Sequence, residues 1–284
     1  MIQTLRQIKS RIRSIENTRK ITRAMETISA AKLNRIKNSF YAARSYSASL
    51  EAVLKRFLSD ITMLENPFIK KRERIKNIAV CIIASDTGLC GTYNNNIIKR
   101  TEAFLGDRDR KNIRLIAVGK QAFTHFKNKG YPVTREHIGL FGRYSLKISQ
   151  ELVSELASMF LSEEADEVYI AYTHFSANLR HNPVVEKFLG VDFEEGKRTY
   201  YILEPDAQKI LNDMMPRYLA SKMNTIIMDA FTAEHSARML AMKIATDNAD
   251  EIIDTLILAR NKARQSQITR EVVEIAMAAE AIKE

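Results

Sequence analysis

The sequence predicts an α/β protein with two long terminal helices that pair as an antiparallel coiled coil and a mostly parallel sheet domain inserted between them. Three observations predict this fold class. Apolar residues recur every three or four positions near both ends of the chain, and glycine and proline are rare there. The middle of the chain instead alternates strand-like and helix-like segments, and all 9 glycines fall there.

The first segment, residues 1–64, is predicted to be one long coiled-coil helix. Its apolar residues follow heptad-like spacing with phase shifts, and neither glycine nor proline occurs before Pro67. The predicted seam is Leu5, Ile8, Ile12, Ile15, Ile21, Met25, Ile28, Leu33, Ile36, Phe40 and Ala43. A helix of this length does not fit inside a compact domain, so we expect it to pair with a second helix. A polar linker, residues 65–76, follows it.

Residues 77–205 are predicted to form a Rossmann-like α/β domain. Alternation of buried strands with helices is typical of a doubly wound, mostly parallel sheet. The strand-like runs are residues 77–85, 113–119, 167–175 and 198–205, and the helix-like segments are residues 95–105, 121–129 and 144–161.

The last segment, residues 206–284, is predicted to be the second coiled-coil helix, which Pro216 either starts or kinks. Alanine is common along its seam, so the partner helix is expected to approach closely. The predicted seam is Ile226, Ala230, Ala233, Ala237, Leu240, Ile244, Ala249, Ile252, Leu256, Ala259, Ala263, Ile268, Val272, Ile275 and Ala279.

The net charge of +10 is concentrated in the first helix. Residues 1–76 contain 18 Lys and Arg against 6 Asp and Glu, a balance of +12, whereas the remainder contains 26 against 28, a balance of −2. This pattern fits either a solvated helix face or a surface that meets acidic partners or phosphate groups. No run of 18 apolar residues is present, and the N-terminal segment has no apolar core typical of a secretory signal.

The residues that most often carry chemistry form no recognisable catalytic set. Cys81 and Cys90 match neither a disulfide scaffold nor a zinc motif, and the pair favours a reducing compartment. The five histidines are scattered, and we expect His181 and His235 to lie at the surface. We therefore predict no catalytic residue, cofactor or metal site.

The segment Ser85 to Gly91 follows a strand and precedes a helix, which leaves two interpretations open. Gly88 and Gly91 form a G-x-x-G turn, so a nucleotide-binding loop is one of them. The fuller glycine motif and its acidic partner are missing and there is no Walker A loop, so a tight structural turn is favoured.

Several motifs resemble those of one protein family in the same order along the chain. They are Asn17 to Glu26 with Ser29 to Leu33, Ser85 to Asn94, Glu234 to Ala249, and Asn261 to Glu271. Together they closely resemble the gamma subunits of bacterial F-type ATP synthases. The resemblance implies a non-catalytic rotor shaft that couples ion-driven rotation of a membrane ring to conformational cycling of the catalytic sites.

The resemblance also implies partners, a location and roles for particular residues. The partners are the alpha and beta subunits of the F1 ring, the epsilon subunit and the membrane c-ring, and the location is the cytoplasmic side of a bacterial inner membrane. Contacts with the catalytic subunits are implied for Arg264, Gln265, Thr269, Met25, Arg19, Lys20, Arg23 and Arg238. The foot that meets the rotor ring is implied to include Tyr201 and Glu204.

Two other function classes remain open from the residues alone. One is a basic coiled-coil adaptor that binds nucleic acid, although its Lys and Arg are interleaved with seam positions and its aromatic residues form no stacking platform. The other is a nucleotide-binding enzyme that uses the Gly88 loop, which the missing acidic partner disfavours.

Overall fold

A computed structural model describes residues 5–60, 66–69, 72, 74–176, 181–190 and 204–281. The chain divides into two compact units. We call Met1–Ile28 with Met239–Glu284 the helix-pair unit, and Ser29–Arg238 the sheet unit.

The described residues form five α-helices and five strands. The helices are α1 (Leu5–Asp60), α2 (Tyr93–Leu105), α3 (Lys120–Asn128), α4 (Leu146–Leu161) and α5 (Ala207–Ala281). The strands are β1 (Ile78–Ile83), β2 (Ile113–Val118), β3 (Val133–His137), β4 (Glu167–Phe175) and β5 (His181–Leu189). The long helices at both ends and the sheet between them confirm the predicted fold class.

The five strands form a single sheet in the order β3-β2-β1-β4-β5. β1 pairs with β2 and β4 in parallel, β2 pairs with β3 in parallel, and β5 runs antiparallel to β4. The sheet is therefore mostly parallel, as its alternation with helices predicts.

Both faces of the sheet are covered, and β1 shows this most clearly. Ala79, Cys81 and Ile83 belong to an apolar cluster with α4 and parts of α1 and α5. The alternate residues Ile78, Val80 and Ile82 belong to a second cluster with α2 and α3. A strand buried on both faces does not alternate between polar and apolar residues, which explains why the sequence of β1 is a continuous apolar run.

Three of the predicted strand-like runs correspond to β1, β2 and β4, whereas β3 and β5 were not predicted. Both missed strands lie at the edges of the sheet and are half-buried or exposed over most of their length. Their sequences, VTREH and HNPVVEKFL, consequently lack the apolar run that identifies a central strand. Of the predicted strand at 198–205, residues 198–203 lie outside the described residues.

The helix-pair unit consists of the start of α1 and the end of α5, which run antiparallel. Ile8 and Ile12 pack against Leu256. Further along, Arg19 contacts Asp250 at 2.7 Å and Thr22 contacts Thr246 at 2.8 Å between their hydroxyls. As the residue numbers rise along α1, those of the contacting residues on α5 fall, which is the pattern of an antiparallel helix pair.

Parts of the predicted seam are wrong by one position. Ile21 and Ile28 are 61% and 56% exposed, while Thr22 and Ser29 are buried in their place. On α5, Ile253 is buried and Ile252 is not. An α-helix has 3.6 residues per turn, so a strict heptad drifts around it, and small hydroxyl side chains suit a close helix pair better than isoleucine. Three predicted seam residues further along α5 are also exposed: Ile268, Val272 and Ile275.

Pro216 lies within α5 and does not start it. The helix begins after Asp206, whose carboxylate accepts a hydrogen bond from the backbone N–H of Lys209 at 2.9 Å. An aspartate in this position satisfies an amide that would otherwise lack a partner in the first turn.

Candidate functional site

The residues matched to the catalytic-subunit contact lie on α5 in the helix-pair unit. The side chains of Arg264, Gln265 and Thr269 are exposed. Thr269 donates its hydroxyl to the backbone carbonyl of Gln265 at 2.9 Å, a bond within the helix. Within the described part of the chain, the side chains of Arg264 and Gln265 have no hydrogen bond or ion pair, so their donors are available to another molecule.

Exposed apolar side chains surround these residues on α5. Ile268, Val272 and Ile275 are 52%, 59% and 69% exposed. The described residues of α1 do not cover this stretch. Contiguous exposed apolar surface of this kind is typical of a site for protein contact.

A basic cluster lies on α1 of the same unit. Arg19 donates to the Asp250 carboxylate at 2.7 Å, and this hydrogen bond raises the pKa of the Arg19 guanidinium. Lys20 and Arg23 are exposed, and neither forms an ion pair with any described residue. Met25 is half-buried. Lys20 and Arg23 therefore present positive charge outward, while Arg19 is partly committed to its own chain.

Arg238, in contrast, lies inside the sheet unit with 7% of its surface exposed. Its guanidinium donates to the Glu234 carboxylate at 2.8 Å, to the carbonyl and hydroxyl of Thr87 at 3.2 and 3.1 Å, and to the carbonyl of Gly88 at 3.4 Å. Its donors are thus occupied by the loop after β1. The geometry assigns Arg238 to holding this loop.

Two acids that sequence reasoning did not single out complete this arrangement. Glu234 is 1% exposed, and burial raises its pKa while Arg238 opposes the rise. Asp86 accepts hydrogen bonds from the backbone N–H groups of Lys120, Gly139 and Phe141 at 3.0, 3.0 and 2.7 Å. The spacing of four residues between Glu234 and Arg238 on a helix was the available signal for the first of them.

These bonds support the structural-turn interpretation of the loop from Ser85 to Gly91. Its aspartate ties together three chain segments, and two of its carbonyls accept from Arg238. Gly119 closes the arrangement: a Cβ at that position would lie 2.2 Å from the Ala84 carbonyl oxygen, and its φ is +90°. The Asp86 carboxylate and the Thr87 and Gly88 carbonyls of the loop are therefore bonded within its own chain.

The surface location predicted for His235 is wrong. The residue is 1% exposed, and its Nε2 lies 3.0 Å from the Gly142 carbonyl oxygen. Desolvation lowers the pKa of His235 to about 4, so the ring is neutral near pH 7 and donates from Nε2. His181 is half-buried, and burial lowers its pKa. Helical periodicity alone did not reveal that the Gly142 loop covers this face of α5.

The foot residues are described only in part. Glu204 is exposed and immediately precedes the cis peptide bond to Pro205. Tyr201 lies outside the described residues. Of the two residues implied to form the foot, only Glu204 therefore lies within the described residues, and its side chain is exposed.

Other site types were sought across the same residues. No group of three or more His, Cys, Asp or Glu side chains in the described ranges is arranged to hold a metal ion. Cys81 and Cys90 are free thiols, and both are buried. No helix in the described part of the chain is long and apolar enough to span a membrane.

Comparison with known sequences gives full-length matches. A family model described as ATP synthase matches residues 4–282. The ATP synthase gamma chain of Moorella thermoacetica is 37% identical over 281 residues, which cover 98% of this chain and 99% of that one. The ATP synthase gamma chain of Pelotomaculum thermopropionicum is 35% identical over 284 residues, with 99% of each chain covered.

Solved structures show the same fold at lower sequence identity. A chain of the Euglena gracilis mitochondrial ATP synthase in rotational state 3 has a TM-score of 0.68 at 14% identity, over 98% of this chain and 94% of that one. A central-stalk chain of the Tetrahymena thermophila mitochondrial ATP synthase has a TM-score of 0.62 at 19% identity, over 79% and 99%. Neither the sequences nor the structures support the nucleic-acid alternative. The chain belongs to the ATP synthase gamma-chain family.

Proposed function

We propose that this chain is the central shaft of a rotary F-type ATP synthase. The observation that carries the proposal is the full-length match to gamma chains, which covers 99% of both sequences for the Pelotomaculum relative. Ion flow turns a membrane ring and the shaft turns with it. A shaft biases a catalytic site only if it makes different contacts with the open and closed states of that site.

The exposed surface of the helix-pair unit supports this role. Arg264 and Gln265 offer hydrogen-bond donors to the catalytic subunits, and the neighbouring apolar side chains offer contact area. Lys20 and Arg23 present positive charge to acidic partner loops. We assign contact with the rotor ring to the foot that includes Glu204 and Tyr201.

We assign catalysis to the other subunits of the complex. The loop at Gly88 is the segment of this sequence that most resembles a nucleotide site. Its carbonyls instead accept from Arg238, and its carboxylate accepts from three backbone amides. The other subunits in this proposal are the alpha and beta subunits, an epsilon subunit and a c-ring. The proposed location is the cytoplasmic side of a bacterial inner membrane, to which the chain is peripheral.

Direct observation of rotation tests this proposal. Both native cysteines are buried, so a fluorescent probe can be attached at Lys99→Cys, an exposed position on α2. The labelled chain is reconstituted with its alpha and beta subunits and supplied with ATP. We expect the probe to rotate in one direction and the isolated chain to hydrolyse no ATP. A probe that stays fixed while the complex turns over ATP would contradict the proposal.

A further inference from the structure

A cleft in the sheet unit has no role in the function proposed above. Its volume is about 600 Å³, within the range of sites that bind small molecules. Its lining includes Lys32, Arg35 and Ile36 of α1, Arg143 and Tyr144 before α4, and Met228 of α5.

The charge of this cleft is positive. Three of its lining side chains are cationic, and none is acidic. Lys32 donates to the Phe141 carbonyl at 3.3 Å, which leaves its other two donors available. The guanidinium groups of Arg35 and Arg143 have no hydrogen bond or ion pair with the residues that the structure describes. Two guanidinium groups and one ammonium group therefore line a common space that has no acidic side chain in its lining. Glu234, which interacts electrostatically with Lys32, is hydrogen-bonded to Arg238.

The start of α4 lies close to this cleft. Tyr144 lines the cleft and precedes the first residue of α4, Leu146, by two positions. The first turn of α4 contains no acidic residue, and the side chain of the N-cap Ser145 makes no capping hydrogen bond. The unpaired amide groups at a helix N-terminus favour a nearby anion.

Part of the remaining lining of the cleft is apolar. Met228 is 6% exposed and Ile36 is half-buried, so both side chains are supported by the core. The Tyr144 hydroxyl is hydrogen-bonded to the Asn224 side chain, which holds the aromatic ring in place. The cleft thus places an apolar floor and an aromatic wall beside a cluster of cations.

We propose that this cleft binds a small organic anion with an oxyanion group on an aromatic or aliphatic body. Arg35 and Arg143 hold the oxyanion, because a guanidinium donates two parallel hydrogen bonds to a phosphate, sulfonate or carboxylate. The apolar part of the ligand packs on Ile36 and Met228 beside Tyr144. All of its lining residues lie within the sheet unit.

Fluorescence titration of the full chain with 8-anilinonaphthalene-1-sulfonate tests the site, because this probe carries a sulfonate on an aromatic body. We expect saturable binding that Arg35→Gln with Arg143→Gln weakens by at least about tenfold, since hydrogen bonds between charged groups are strong ones. The matched control is Lys99→Gln with Arg100→Gln, which removes the same charge from exposed positions of α2. We expect the control to bind the probe as the unmodified chain does.

A second variant separates the cleft from general electrostatic attraction. Ser39 lines the cleft and is exposed, so Ser39→Trp fills the space without changing the charge or the core. We expect the same loss of binding, with an unchanged circular dichroism spectrum and melting temperature. The proposal would be overturned if the α2 control lost as much probe binding as the cleft variants. It would also be overturned if both cleft variants bound the probe as tightly as the unmodified chain.

Discussion

The two units of this chain differ in how much apolar surface each buries. The sheet unit contains fully buried aromatic side chains from helices and strands, among them Phe126, Phe160 and Phe188. The helix-pair unit contains no buried aromatic among its described residues. Its buried apolar side chains are Ile8, Ile12, Met242, Ala249, Ile253 and Leu256.

This difference indicates which interactions each unit uses for stability. Three apolar clusters and a set of buried polar bonds stabilise the sheet unit. The helix-pair unit has one small cluster, a polar seam and exposed apolar side chains. Long helices gain most of their stability from packing, so we infer that surrounding subunits supply part of it for the helix-pair unit.

The largest expected effect comes from breaking the buried ion pair of the sheet unit. Arg238→Ala leaves the Glu234 carboxylate buried without its partner, which should lower the free energy of unfolding by about 3–5 kcal/mol. Urea denaturation measures this loss. The control is Arg238→Met with Glu234→Gln, which removes both charges and should cost less. Equal destabilisation by the two variants would mean that lost packing, and not the unpaired charge, is responsible.

Replacing one alanine in each unit with leucine compares how tightly the helices pack in the two units. Ala237 is 7% exposed in a cluster with Phe40, so Ala237→Leu should overpack that contact at a cost of about 1–3 kcal/mol. Ala263 in the helix-pair unit is only half-buried, so Ala263→Leu should cost less than about 0.5 kcal/mol. Thermal melts of the two variants provide the comparison. Similar costs would contradict the difference in packing.

The buried histidine of the sheet unit predicts a dependence of stability on pH. The pKa of His235 is about 4 in the folded chain and about 6.5 when unfolded, so the unfolded state binds the proton first as the pH falls. Stability from this residue is present above about pH 6.5 and is lost towards pH 4. We expect His235→Gln to remove about 2 kcal/mol of the change between about pH 7 and pH 5.

Denaturation of both proteins at the two pH values measures this difference. Both proteins contain the same buried carboxylates, so comparing them isolates the contribution of His235. Glu234 is one of these carboxylates, and its raised pKa makes stability fall as the pH rises, opposite to the effect of His235. The same pH dependence in the variant and the unmodified chain would show that His235 does not titrate as proposed.

A small effect is also expected in the polar seam of the helix-pair unit. The Thr22 and Thr246 hydroxyl oxygens lie 2.8 Å apart, and each is also within hydrogen-bond distance of a backbone carbonyl of its own helix, that of Arg19 or Met242. Replacing both with valine removes donor and acceptor together, so the free energy of unfolding should change by less than about 1 kcal/mol. A much larger loss in a chemical denaturation curve would mean that this hydroxyl pair fixes the helix register.

The sequence predicted those elements whose pattern is local. β1, β2 and β4 are buried on both faces and read directly as apolar runs, and the terminal helices follow from their spacing. The edge strands β3 and β5 have half-exposed sequences without such a run. Their pairing partners decide their structure, and these partners are distant in the sequence.

The site was predictable to a similar extent. Arg264, Gln265 and Lys20 lie outside the predicted seam, and their side chains are exposed, as the helical pattern predicts. The burial of Arg238 and His235 depends on the loops at Thr87 and Gly142, which are more than ninety residues away in the sequence. Helical spacing shows which residues share a face, but it does not show what covers that face.

The most direct test of the central claim is the ATP turnover of a reconstituted complex that carries Arg264→Ala with Gln265→Ala. Both side chains are exposed and fill no seam, so the variant should fold and assemble normally. The matched control is Arg100→Ala with Asn95→Ala, which removes the same two groups from exposed positions of α2. We predict turnover about tenfold lower in the first complex, equivalent to ~1.4 kcal/mol of lost differential contact, and unchanged turnover in the control. Normal assembly with ATP synthesis and hydrolysis at the unmodified rate in the first complex would contradict the claim.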